Sequence, residues 1–113
     1  MIDKVGDHFK LIIIIVKKGL ARDVIKACKE AGAEGGTVIG GKGVGTHETG
    51  SIFGVKIEPE KNIILCLAQN SIVQDVLDHV SNTAELNKPG TGVGFVINSR
   101  SVTGIAHLLE KDF

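Results

Sequence analysis

An internal repeat constrains this chain more than any other feature. Leu11-Ile12-Ile13 aligns with Ile63-Ile64-Leu65, Leu20 with Ile72, and Asp23-Val24 with Asp75-Val76, all at one fixed offset. In each half an apolar run leads through a short break into apolar residues at helical spacing, and then to a glycine-rich stretch. Leu11 to Val16 is short and β-branched, which predicts a strand buried on both faces. Lys17-Lys18-Gly19 breaks it. Leu20, Val24, Ile25 and Cys28 then share a helical face, and Gly32 is placed to end that helix. Thr37-Val38-Ile39 predicts a second strand running into the glycine loop Gly40 to Gly50, and Ile52 to Ile57 a third, with Phe53, Val55 and Ile57 on one side.

Glu58-Pro59-Glu60 turns the chain, and Asn62 to Leu67 reads as a fourth strand. Ser71-Ile72-Val73-Gln74 has the capping-box pattern, followed by an apolar stripe of Ile72, Val73, Val76, Leu77 and Val80. A second glycine loop, Lys88 to Gly94, precedes a strand at Phe95-Val96-Ile97. The tail predicts a short strand near Val102 to Ile105 and then a helical turn. Repeated strand–helix–strand units define an α+β, ferredoxin-like split βαβ fold (βαββαβ), an antiparallel sheet with both helices on one face. In a single domain of 113 residues the other face, apolar as well, needs a cover, and the available cover is another copy of the chain. A homo-oligomer is therefore expected, a dimer or a trimer that could set one subunit's first glycine loop against another's second.

Composition removes several functions. Lys plus Arg equals Asp plus Glu at 13 each, so no basic field argues for nucleic acid. With four Phe and neither Trp nor Tyr, stacking platforms for single strands are also missing. No apolar run is long enough to span a bilayer, and no charged region followed by a cleavage site reads as a signal peptide, so a cytoplasmic domain is expected without membrane insertion. Cys28 and Cys66 belong to no CxxC pair and read as free buried thiols.

Gly36 to Lys42 has the GxxxxGK spacing of a phosphate-binding loop, but Gly43 stands where Ser or Thr would hold magnesium and no helix follows. Neither loop completes GxGxxG. His47-Glu48 lacks the second zincin histidine, Ser51 being in its place. The other histidines, His8, His79 and His107, are dispersed: His79 reads as an exposed or half-buried helix position and His8 as part of a mobile N-terminus. No nucleophile–base set is spaced for catalysis, so no catalytic residue is nominated. Glu48, Glu58 and Glu60 read as solvated loop carboxylates. Lys42 and Lys88, each in a glycine-rich turn beside a strand end, are the better site candidates.

The chain resembles the PII signalling-protein family, in its branch with a shortened T-loop. The resemblance runs from about Lys10 to Ile105. Gly36-Thr37-Val38 with Lys42-Gly43-Val44-Gly45 carries it, together with Thr83-Ala84 and Lys88-Pro89-Gly90-Thr91-Gly92-Val93-Gly94-Phe95-Val96. It implies a single domain over 1–113, with an N-terminal tail at 1–9, a T-loop at 44–56 and a B-loop at 87–94. It implies a homotrimer that binds an adenine nucleotide (AMP, ADP or ATP) between subunits and regulates an enzyme or a transporter of nitrogen metabolism. No other cofactor and no metal are required. The implied contacts are Thr37 to the base, then Gly43, Val44, Gly45 and Thr46, and in the B-loop Asn87, Lys88, Pro89, Gly90, Thr91 and Gly92.

The chain departs from the family where cations are expected, with Thr46, Val93, Gly104 and Ala106 in their places. Each charge-assisted phosphate contact contributes about 1.5–3 kcal/mol, so AMP or ADP suits such a site better than tightly held ATP. Without tyrosine, uridylylation of the T-loop is excluded, and so short an arm argues against docking into an ammonium channel. Two alternatives stand beside this reading. One is a metal- or anion-responsive trimer of the divalent-cation-tolerance type, with His47, Glu48 and His107 as ligands. The other is a small enzyme on a ferredoxin-like scaffold.

Overall fold

The computed structural model describes residues 8–45, 51–52, 55–56 and 59–104. Its elements are β1 (Phe9–Lys17), α1 (Ala21–Glu30), β2 (Thr37–Lys42), β3 (Ser51–Ile52), β4 (Val55–Lys56), β5 (Glu60–Gln69), α2 (Val73–Ala84) and β6 (Gly92–Asn98). Four strands make one sheet in the order β2-β5-β1-β6, with every neighbouring pair antiparallel. The two repeats interleave: β1 and β5, the first strands of each half, lie side by side at the centre, with Ile13 opposite Leu65. This is the split βαβ arrangement that the repeat predicts.

Alternation decides the layers. Ile12, Ile14 and Val16 of β1 and Ile64, Cys66 and Ala68 of β5 are all but fully buried. They pack against Val24, Ala27 and Cys28 of α1 and Val76, Val80 and Ala84 of α2. The intervening residues Leu11, Ile13 and Ile15 face the other side with Ile63, Leu65 and Leu67 and are only half-buried in a single subunit. Burial of β1 on both faces is thus not achieved within one chain. The outer strands extend the same open face through Ile39 on β2 and through Val93, Phe95 and Ile97 on β6, each between 42% and 50% exposed.

Helix α1 ends as its glycine predicts. Gly32 has φ 109 and donates its N–H to Lys29 O, while Ala33 N–H reaches Cys28 O, each at 3.0 Å. These two bonds form a Schellman motif, satisfying carbonyls that a helix end otherwise leaves open. The start of α2 differs from the capping-box expectation. A short 3-10 turn, Asn70–Ile72, precedes it, and no side-chain bond caps it. Gln74 Nε2 instead donates to Asp78 Oδ1 at 2.9 Å, so its amide is turned along the helix and not back toward Ser71.

Three further expectations change. Gly40, Gly41 and Lys42 are strand and not loop, because each pairs with β5 (Gly40 with Asn62, Gly41 with Lys61, Lys42 with Glu60). The single strand expected from Ile52 to Ile57 is a reversal, since Ser51 pairs with Lys56 and Ile52 with Val55 in antiparallel register. No strand forms over residues 102–104, where Gly104 takes φ 82; the rest of the expected tail lies outside the described residues. His8 is exposed, but its carbonyl accepts the Asn70 N–H at 2.7 Å, which fixes the chain at the start of β1.

Candidate functional site

Strand register gathers both glycine loops at one end of the sheet. β2 leaves its partner at Lys42 opposite Glu60, where β5 starts, and β6 begins at Gly92 opposite Val16, where β1 finishes. An open cleft of about 510 Å³ lies between these ends. One wall is Lys42, Gly43, Val44 and Gly45, and the other is Gly90, Gly92 and Val93; Ile15, Lys61 and Ile63 of the central strands form the floor. Backbone carries much of this lining, which suits close approach of a ligand to N–H groups.

Each wall is pinned by a specific feature. Gly43 N–H donates to Pro59 O at 3.0 Å, fixing the chain as it leaves β2. Gly92 has φ 154, and a Cβ there would stand 2.5 Å from Ile15 O and 3.0 Å from Val16 Cγ1, so only glycine lets β6 enter the sheet at this point. Behind it, Thr91 Oγ1 lies 2.8 Å from Glu85 O and 2.9 Å from Lys88 O, donating its one proton to either and drawing the loop closed. Thr91 is thereby a structural link in the loop, with its hydroxyl turned to the backbone.

The expected site residues divide accordingly. Gly43, Val44, Gly45, Gly90 and Gly92 line the cleft. Lys88 does not; its Nζ sits 3.2 Å from Glu85 Oε1. Asn87, Pro89 and Thr91 belong to the same turn without lining the cleft, and Thr37 is at the far end of β2, about 17 Å along the strand from Lys42. Thr46 lies outside the described residues. Reading the sequence missed Lys61, whose role depends on its pairing opposite Gly41 on one side and Lys17 on the other. Val93, where the family resemblance expects a lysine, lines the cleft and is 50% exposed. Gly36 to Lys42 runs into an extended strand, which removes the phosphate-binding-loop reading.

Beside the Lys88–Glu85 contact, a second ion pair lies at this end of the sheet. Lys18 Nζ bonds Glu60 Oε2 at 2.9 Å, and this contact holds the exposed Glu60 carboxyl below its ordinary range. Glu60 is therefore a solvated carboxylate as expected, but it is the first residue of β5 and an ion-pair partner, not a loop residue. Gly19 N–H donates to Asn62 Oδ1 at 3.0 Å beside it. Among the described residues no three His, Cys, Asp or Glu side chains gather as a metal site; His47, Glu48 and His107 lie outside those residues. His79 is exposed, its Nδ1 2.8 Å from Asp75 O one helical turn earlier. Cys28 and Cys66 are free, buried and in mutual contact in the helix-facing core, where their hydrogen bond and desolvation push the Cys28 thiol far above its ordinary range.

A sheet of this order, with both helices on one face, an open apolar face on the other and a glycine-walled cleft at its end, defines a small α+β domain of the ferredoxin-like kind. The family description "Nitrogen regulatory protein P-II" matches residues 9–107, and the chain belongs to that family. Membership places it among signalling and regulatory proteins of nitrogen regulation, a class that is generally non-catalytic. A comparison with curated proteins returns no match. No helix among the described residues is long and apolar enough to cross a membrane.

Proposed function

We propose that the protein is a non-catalytic cytoplasmic regulator that binds an adenine nucleotide, AMP or ADP in preference to ATP, in this cleft. Lys42 and Lys61 would meet the phosphates, together with the backbone of Gly43 to Gly45 and Gly90 to Gly92. The observation that carries the reading is the convergence of both glycine loops and two lysines on one cleft of about 510 Å³, a size that suits a small ligand. Three copies packed through their open sheet faces would complete it; the run of exposed apolar residues from Ile39 to Phe95 and Ile97 supports such packing. Thr37, remote from the cleft of its own subunit, would contact the base as the family resemblance implies. Ligand binding would act through the segment 44–56, the family's T-loop, on a regulated enzyme or transporter.

Isothermal titration of the purified protein with AMP, ADP and ATP tests the nucleotide reading. The expected result is saturable binding of AMP or ADP, weakened about tenfold or more by Lys61→Ala, the loss of one charge-assisted contact. Absence of binding by all three at millimolar concentration would refute it.

A further inference from the structure

We propose that Glu85 sets the charge preference of the cleft by holding Lys88 in an ion pair, so that ligands with one or two phosphates are favoured over those with three. This inference rests on the nucleotide reading above and deepens it. Glu85 stands where α2 ends, with φ 54 and ψ 44, and no other non-glycine residue among those described has a positive φ. A residue with a Cβ occupies that region at a cost unless its surroundings hold it there.

Here they do. Glu85 donates its N–H to Ser81 O, and Leu86 N–H donates to the same carbonyl at 3.0 Å. Glu85 O in turn accepts the Lys88 N–H at 2.9 Å and lies 2.8 Å from the Thr91 hydroxyl. The turn that shapes the glycine wall thus converges on Glu85, and the same turn sets its carboxylate 3.2 Å from Lys88 Nζ.

Lys88 does not line the cleft itself, but it is two residues from Gly90, which does, and it is the one cation between Lys88 and Gly94; its charge is offset by the Glu85 carboxylate. An arriving phosphate must displace the carboxylate or settle beside it. The repulsion from a carboxylate grows with each phosphate charge added. The lysines that line the cleft directly, Lys42 and Lys61, sit on the opposite wall and on the floor, and Val93 adds no charge on the Glu85 side. Both partners of the pair are exposed, so the bond is displaceable and acts as a bias, not a block.

The test is titration of AMP, ADP and ATP into the wild type and into Glu85→Gln, which keeps the side chain's shape and removes its charge. The variant is expected to bind ATP about two- to fivefold more tightly, the range of exposed ion pairs, with a smaller gain for ADP and least for AMP. The gain shrinks as salt is raised. Glu85→Asn, which tolerates the left-handed backbone, should show the same order among the nucleotides. In a Lys88→Ala background most of the gain disappears. Equal gains for all three nucleotides, no gain, or a full gain without Lys88 would each overturn the inference while leaving the nucleotide reading intact. No binding by either protein would overturn both.

Discussion

Replacing Gly92 and Gly94 by alanine, one at a time, should separate two glycines that look alike in sequence. They lie two residues apart on β6, on the same face of the strand, opposite Val16 and Ile14. At Gly92 the added Cβ would be 2.5 Å from Ile15 O and 3.2 Å from Leu86 Cδ2, and φ is 154. The backbone conformation alone costs an alanine about 1–3 kcal/mol. Moving β1 or β6 aside to admit the methyl group adds about 1–3 kcal/mol, the usual penalty of overpacking. At Gly94 the nearest atoms would be Leu86 Cδ1 at 3.7 Å and Ile14 Cγ1 at 3.8 Å, ordinary contact, and the φ is not positive. There alanine is expected to be neutral or to stabilise by about 0.4–1 kcal/mol through the unfolded chain. Urea denaturation of both variants and the wild type at one protein concentration reads the difference, which should be at least about 2 kcal/mol. Gly92→Ala should also lose nucleotide affinity, because its wall of the cleft must move. A Gly92→Ala midpoint within error of that of Gly94→Ala would refute the close-approach argument.

Other outcomes follow from the same structure. Phe95→Asp places a charge on the open sheet face and should lower the mass observed by light scattering relative to the wild type; an unchanged assembly would show that this face is not the one that packs. Cys28 and Cys66 should resist alkylation in the folded protein and react on denaturation, and raising the pH to about 9 should not speed native labelling of Cys28, whose thiol is held protonated. The Lys18–Glu60 pair lowers the Glu60 carboxyl, so its contribution is present at neutral pH and lost as pH falls through the carboxylate range. Wild type and Glu60→Gln should therefore differ most at neutral pH and converge in stability as the pH is taken below the lowered range of the Glu60 carboxyl, a comparison made by denaturation across pH.

The central elements were legible because their signals are local. The short apolar runs Leu11 to Val16 and Asn62 to Leu67, the helical stripes at Val24 and Cys28 and at Val76 and Val80, and Gly32 at a helix end all depend on near neighbours in the chain. The errors arose where a distant partner decided the outcome. Gly40-Gly41-Lys42 and Gly92-Val93-Gly94 carry little strand preference of their own, yet pairing with β5 and β1 draws them into the sheet. The run from Ile52 to Ile57 alternates like a strand, and only the pairing of Ser51 with Lys56 shows that it folds back; Gly54 was the turn signal present in the sequence. Ser71 and Gln74 fit a capping box, but a 3-10 turn occupies that helix start.

By itself, then, the sequence determined the repeat, the fold class and the two glycine stretches, since periodicity and backbone freedom are properties of adjacent residues. Only the tertiary structure decided that those stretches face each other across one cleft, that Lys61 joins them, and that Lys88 is held by Glu85. Strand register fixes which chain ends meet, and register is settled by burying one face of every strand at once.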